Sequence, residues 1–61
     1  MDEGDEVLIA AENGNVRTGK LVEWVSMTST WFVEVYPSGK AKRDRGYSTW
    51  IKPEAMIKIE R

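Results

Sequence analysis

The 61-residue sequence predicts one small all-β domain of five strands, and three observations point to it. No segment has a sustained helical period, the apolar residues fall into short alternating runs, and Gly, Asn, Ser or Pro separates those runs. Short runs bounded by such turn-forming residues are typical of β-strands. Because no linker-like stretch divides them, residues 1–61 are predicted to form a single domain, with residues 1–4 frayed.

The first two runs, residues 6–11 and 16–25, are joined by the turn signal Asn13-Gly14. Both residue types tolerate positive φ, so this dipeptide favours a tight turn between two strands. Gly19 interrupts the second run, and a glycine within a strand often marks a bulge or a sharp bend. We therefore expect the second strand to bend near Gly19, so that it serves both halves of a small barrel.

The third run, residues 31–36, has the clearest alternation in the chain. Its odd-numbered positions carry Trp and Val, whereas its even-numbered positions are Phe32, Glu34 and Tyr36. Because a carboxylate belongs on a solvated face, the odd-numbered side chains are predicted to face the core. Phe32 and Tyr36 are then aromatic side chains on the outer face.

The last third of the chain is predicted to contain a charged arm, two strands and one turn. Residues 40–46 form the arm, a long hairpin or loop, and residues 47–51 form the fourth strand. Pro53 cannot donate a ladder hydrogen bond and suits a single 3-10 turn before a fifth strand over residues 56–60. The predicted core draws on all five strands and consists of Val7, Ile9, Leu21, Trp31, Val33, Val35, Ile57 and Ile59, with Ile51 or Tyr47 from the fourth strand.

The composition excludes several kinds of chemistry. The chain has no Cys and no His, which removes disulfides, thiolate metal sites and the usual general base near neutral pH. The serines have no His or Cys with which to form a nucleophile system, and there is no glycine-rich phosphate loop. We therefore predict a protein that is not an enzyme and that needs no cofactor and no metal.

Size and charge bear on partners and location. A chain this short buries only about 60% of its unfolded surface, so its core is marginal. Both a lone, well-packed barrel and a self-associating one satisfy this limit. No apolar run approaches the roughly 20 residues of a membrane span, and the start is acidic where a signal peptide is basic. These features predict a cytoplasmic protein with no membrane partner. The net charge of −1 lacks the overall basicity typical of a nucleic-acid-binding domain.

Four segments carry a resemblance to a known fold. They are Gly4-Asp5-Glu6-Val7, Gly19-Lys20-Leu21-Val22, Trp31-Phe32-Val33-Glu34-Val35 and Lys52-Pro53-Glu54-Ala55 leading into Ile57-Lys58-Ile59-Glu60. In this order and spacing they resemble the SH3-like barrel, a superfold shared by Tudor and KOW-type modules, peptide-binding SH3 domains and plasmid-type (type II) dihydrofolate reductases. The resemblance implies a five-stranded barrel with a 3-10 turn before the last strand, and it leaves the function open.

The plasmid-type reductases are similar to this chain in length and strand order, but their active-site run is not matched. In that family, a Val-Gln-Ile-Tyr run just before a proline lines the central pore of a homotetramer. The corresponding positions here are Thr49-Trp50-Ile51-Lys52, which keep only the Ile. Four copies of Trp50 around a narrow pore would block it, so the resemblance implies a shared scaffold without a shared active site.

A basic arm with aromatic neighbours is the most suggestive chemical feature. Cationic side chains neutralise phosphates, and aromatic rings interleaved with them stack on the bases of single strands. The simpler interpretation is a solvated hairpin whose charges protect an edge strand. The candidate binding residues are the aromatic and basic side chains of this region: Phe32, Tyr36, Lys40, Lys42, Arg43, Arg45, Tyr47 and Trp50.

The many aromatic residues also allow an aromatic cage for a quaternary cation, a groove for a proline-rich peptide, or a protein contact face. We favour a small non-catalytic module that binds protein, including its own copies as a homo-oligomer. The alternative is a nucleic-acid-binding barrel that uses the basic arm with Trp50 and Tyr36. A third alternative is a homotetrameric reductase with an altered pore.

Overall fold

The computed structural model of the chain describes residues 1–10, 14–37 and 44–60. These residues form one antiparallel sheet of five strands, with a single 3-10 turn, Pro53–Ala55, before the last strand. The strands are β1 Glu6–Ala10, β2 Val16–Val25, β3 Thr30–Val35, β4 Tyr47–Ile51 and β5 Met56–Lys58. The all-β prediction, the number of strands and the position of the 3-10 turn are thus confirmed.

The strand order across the sheet is β4-β3-β2-β1-β5. Each of the first four strands pairs with its neighbour in the chain, and β5 returns to pair with β1. The core lies on one face of this sheet. It consists of Val7, Ile9, Leu21, Trp31, Val33, Val35 and Met56, with Ile51 packed against it.

The core prediction is confirmed for the first three strands and for Ile51, but it is wrong for β5. Ile57 is 70% exposed, whereas Met56 is buried. The reason is the register, because Met56 lies opposite the buried Ile9 and Ile57 lies opposite the exposed Leu8. Side chains on paired positions share a face, so this pairing turns Ile57 outward.

A second predicted core residue, Ile59, also differs from the structure, and of the two alternatives on β4 it is Ile51 that packs on the core. Ile59 follows β5 and is only half-buried, and its N–H donates to the Glu6 carbonyl at 2.9 Å. Tyr47, the alternative to Ile51, is 53% exposed. Both residues lie where the sheet pairing ends, so neighbouring strands cover them on one side only.

The irregularity expected at Gly19 occurs further along β2. Gly19 pairs regularly with both Val7 and Val35, whereas the register with β3 shifts between Leu21 and Glu23. Gly19 is needed for close packing, since a Cβ atom built there would lie 2.7 Å from the Glu34 carbonyl oxygen. The β-bulge has its own consequence, because it brings Trp24 opposite Trp31 on the core side of the sheet.

The residues just before β1 are held to β2 by backbone hydrogen bonds. The Gly4 N–H donates to the Leu21 carbonyl at 2.8 Å, and the Leu21 N–H donates to the Asp5 carbonyl at 2.9 Å. Gly14 has a φ of 74°, as the predicted turn after β1 requires, while Asn13 lies outside the described residues. Among the described residues, no helix is both long and apolar enough to cross a membrane.

Candidate binding surfaces

The first candidate surface is formed by Phe32 and Trp50 on the outer face of the sheet. The two residues are direct partners in the β3–β4 register, and their ring centroids are 5.1 Å apart at an angle of 51°. Trp50 is 62% exposed, whereas Phe32 is half-buried between its neighbours. A tilted aromatic pair of this kind contributes ~0.5–1.5 kcal/mol beyond its buried area. We call this pair the Trp50 surface.

The Trp50 surface has charged and polar neighbours on the same outer face. Glu23 of β2 lies opposite Phe32, and Glu34 of β3 lies opposite Ser48 of β4. An exposed indole held by a second ring and surrounded by polar groups combines apolar area with low conformational freedom. Such a side chain loses little entropy when a partner covers it, which makes it a suitable anchor for binding.

A second group of predicted site residues surrounds Arg17 at one end of the sheet. The Arg17 Nη2 donates to the Tyr36 carbonyl and to the Oδ2 atom of Asp44, both at 2.8 Å. Its guanidinium also lies 5.4 Å from the centre of the Tyr47 ring. The other oxygen of Asp44, Oδ1, accepts the Gly46 N–H at 2.9 Å. This Arg17 cluster fixes the start of β4 against β2 and the end of β3.

The candidate site residues do not all share one surface. Tyr47 pairs with Val35, so it lies on the core side of the sheet, opposite to the side that carries Phe32 and Trp50. Tyr36 is half-buried just after β3, and its N–H donates to the Thr18 carbonyl at 3.0 Å. The structure therefore joins Phe32 to Trp50, and Tyr36 to Tyr47 through Arg17.

The basic arm is described only at its end. Arg45 is exposed between Asp44 and Gly46, whereas Lys40, Lys42 and Arg43 lie outside the described residues. Among the described residues, Arg17 on β2 lies against an aromatic ring, that of Tyr47. Sequence reasoning missed it because its neighbours in the fold, Tyr36, Asp44 and Tyr47, are 19 to 30 positions further along the sequence.

A third feature is an apolar groove of about 550 Å³ lined by Met1, Trp24, Trp31 and Pro53. The two indole rings have centroids 5.4 Å apart and are inclined at 60°. Trp24 is 42% exposed, whereas Trp31 is buried and forms the floor. Sequence reasoning assigned Trp31 to the core and gave Trp24 no role. Two tryptophans flanking a polar hairpin turn are the signal that could have paired them, but the β-bulge that aligns them is not visible in the sequence.

Asp5, just before β1, has charged and polar neighbours among the described residues. The Asp2 N–H donates to Oδ2 of Asp5 at 2.8 Å, and Lys58 lies 3.7 Å from the same oxygen. The backbone hydrogen bond, and next the nearby Lys58 charge, hold the pKa of Asp5 below its ordinary value of 3.8. Within residues 1–10, 14–37 and 44–60, no three acidic side chains gather in a way that could hold a metal ion.

Comparisons of the chain with protein-family models, curated proteins and solved structures found no match.

Proposed function

We propose that this chain is an SH3-like barrel that acts as a non-catalytic binding module and contacts protein, including its own copies, through the Trp50 surface. Support for the barrel comes from the strand order, in which four consecutive strands form a meander and β5 returns to β1 after a 3-10 turn. Support for binding comes from one observation above all. Trp50 leaves 62% of its surface open to solvent while its ring packs against that of Phe32.

A protein partner is favoured over a small molecule because the Trp50 surface lies on the outer face of the sheet, away from the core. Small-molecule sites are concave and bury most of their ligand. Protein contact faces, in contrast, are enriched in Trp, Tyr and Phe and need no deep cleft. The apolar groove beside Trp24 is shallow and open, and it favours a second candidate function, the capture of an extended apolar peptide segment between Trp24 and Pro53.

The experiment is a selection of displayed random peptides on immobilised protein, with matched variants as counter-selections. Trp50→Ala removes the Trp50 surface, and Trp24→Ala removes one wall of the groove. Circular dichroism and thermal unfolding confirm that each variant is folded. Peptides that bind the wild type and Trp24→Ala but not Trp50→Ala support the proposal. Peptides lost only with Trp24→Ala assign the site to the groove. The absence of enriched peptides on a folded wild type contradicts peptide binding at both surfaces.

Nucleic-acid binding is the alternative that shares the same side chain. Trp50 can stack on an unpaired base, and Arg45 supplies an exposed cation nearby in the chain. The test is a titration with a mixed-sequence single-stranded oligonucleotide, followed by tryptophan fluorescence at ~50 mM and ~200 mM salt. Saturable quenching that fades at the higher salt and is absent in Trp50→Ala supports this alternative. A flat response in both buffers rejects it.

The third alternative, a tetrameric reductase with an altered pore, requires two properties that can be measured separately. The chain must form a tetramer, and the tetramer must bind a nicotinamide cofactor close to Trp50. Sedimentation velocity measures the first property, and quenching of tryptophan fluorescence by the reduced cofactor measures the second. A monomer or dimer that does not respond to the cofactor rejects this alternative.

A further inference from the structure

The strand β4 lies at one edge of the sheet, where it lacks the features that usually protect an edge strand. Among the described residues it pairs with β3 and with no other strand. Its sequence, Tyr47-Ser48-Thr49-Trp50-Ile51, contains no charged residue and no proline. Exposed edges are commonly protected by charges, prolines, bulges or very short strands, because unpaired backbone groups recruit other strands.

The opposite edge is different. The strand β5 has only three residues, and it ends at Lys58, whose Nζ lies 3.7 Å from the Asp5 carboxylate. Short length and a charged residue are two of the protective features that β4 lacks. A strand from another molecule would therefore find a longer and less protected edge at β4 than at β5.

The sequence of β4 is also self-complementary in one antiparallel register. With a two-fold axis through Thr49, Tyr47 of one copy lies opposite Ile51 of the other, and the two Thr49 residues face each other. Trp50 then lies opposite Ser48, so the two indoles do not collide. Aromatic with β-branched and Thr with Thr are favourable cross-strand pairs, each contributing ~0.2–1 kcal/mol.

From these observations we propose that β4 is the interface of a symmetric homodimer, in which β4 of a second copy pairs antiparallel with it about Thr49. The inference rests on the proposed function and names its partner as a second copy of this chain. The β4–β4 pairing would join the two sheets into one and bring the two Trp50 surfaces side by side on the outer face. No charged residue of either β4 is buried by the contact, which is therefore expected to tolerate salt.

Because the chain has no cysteine, a single introduced cysteine tests the register directly. Paired Cα atoms across an antiparallel ladder are ~4.5–5.5 Å apart, within the range that a disulfide spans. Thr49→Cys should form a disulfide-linked dimer under mild oxidation. Thr18→Cys, at an exposed position near the start of β2, is the control for random collision. We expect Thr49→Cys to crosslink ~10-fold faster or more, because the dimer raises the local thiol concentration.

A charge exchange at the same position provides an independent test. Thr49→Lys and Thr49→Glu each place like charges opposite each other and should be monomeric by sedimentation equilibrium, whereas an equal mixture should dimerise again. Thr18→Lys and Thr18→Glu should leave the wild-type association unchanged. Recovery in the mixture also shows that the single variants had folded.

The inference is overturned if the wild type stays monomeric over a wide concentration series and Thr49→Cys crosslinks no faster than Thr18→Cys. It is also overturned if the dimer forms but neither the crosslink nor the charge exchange depends on Thr49. Peptides selected through Trp50 would in either case leave the proposed function standing. If the dimer depends on Thr49 but the display selection finds no peptide that depends on Trp50, the function is restricted to self-association.

Discussion

Arg17 on β2 and Asp44 before β4 are 27 positions apart in the chain, and they form an ion pair with an Nη2 to Oδ2 distance of 2.8 Å. Both side chains are largely shielded from solvent, with exposed fractions of 22% and 19%. Charge-assisted hydrogen bonds in such a setting are stronger than those of an exposed pair. The pair holds the segment that leads into β4, and therefore also supports the edge strand on which Trp50 lies.

Replacing Asp44 should destabilise the fold. Asp44→Ala leaves the Arg17 guanidinium short of a partner and removes the acceptor of the Gly46 N–H, so we expect a loss of ~1.5–3 kcal/mol in the free energy of unfolding. Asp44→Asn keeps an acceptor for Gly46 and should cost less than Asp44→Ala. Urea denaturation measures both, with the exposed Glu54→Ala as a control expected within ~0.5 kcal/mol of the wild type. Equal effects of Asp44→Ala and Glu54→Ala would contradict the role of the ion pair.

The face of β5 that packs on the core can be tested with two neighbouring substitutions. Met56 is buried against Ile9, so Met56→Ala should cost ~2–4 kcal/mol. Ile57 is 70% exposed, so Ile57→Ala should change the free energy of unfolding by less than ~1 kcal/mol. Thermal and urea unfolding of the two variants provide the comparison. The reverse order of the two effects would mean that β5 pairs with β1 in a register shifted by one residue.

Gly19 is expected to resist any side chain because of the backbone that packs over it. A Cβ atom at this position would lie 2.7 Å from the Glu34 carbonyl oxygen and 3.0 Å from Cδ1 of Ile9. The backbone of β3 would have to move, so Gly19→Ala should cost ~1–3 kcal/mol. The comparison is Thr18→Ala, its exposed neighbour, measured by the same unfolding titration. A neutral Gly19→Ala would indicate that β2 and β3 are less closely apposed than in the structure.

Asp5 should make stability depend on pH in the acid range. Its pKa in the folded chain lies below the ordinary value of 3.8, because the carboxylate accepts the Asp2 N–H and lies near Lys58. The stabilisation is therefore complete above about pH 4 and is lost as the pH falls through the folded-state pKa. Asp5→Asn should remove this part of the dependence, so that the wild-type and variant unfolding curves converge at low pH. A constant difference between them from neutral to strongly acid pH would argue against it.

The strands and the turns were predictable because they depend on local patterns. Alternation in β3 identified its buried face correctly, since Glu34 marks the solvated side of a period-two pattern. Pro53 identified the 3-10 turn because its fixed φ and missing N–H exclude it from a ladder. Neither conclusion requires knowledge of which strand lies beside which.

The face of β5 was not predictable in the same way. The sequence Met56-Ile57-Lys58-Ile59 offers an apolar residue on either face of a strand, so alternation alone favoured Ile57 and Ile59. Pairing with β1 decides between the faces, since only one register places Met56 opposite the buried Ile9. The same reason explains why Tyr47 and Trp50 were grouped, although their register with β3 puts them on opposite sides of the sheet.

The candidate surfaces were also only partly predictable from the sequence. An excess of aromatic residues is visible in the composition, and Trp50 was predicted as a binding residue because it follows the basic arm in the sequence. The contact of Trp50 with Phe32, the ion pair of Arg17 with Asp44, and the groove between Trp24 and Trp31 all join different strands or segments. The groove also depends on the β-bulge between Leu21 and Glu23, and no residue of β2 predicts a bulge at that position.

By itself, the sequence determined that this protein is an all-β domain of five strands with a short turn before the last, because periodicity and turn chemistry act over a few residues. Only the tertiary structure decided which strands are neighbours, which face of β5 is buried, and which aromatic side chains meet. Those properties depend on register, and register is set by the simultaneous burial of side chains that are distant in the chain. The exposed edge at β4 follows from the same cause, since an edge exists only once the order of the strands is known.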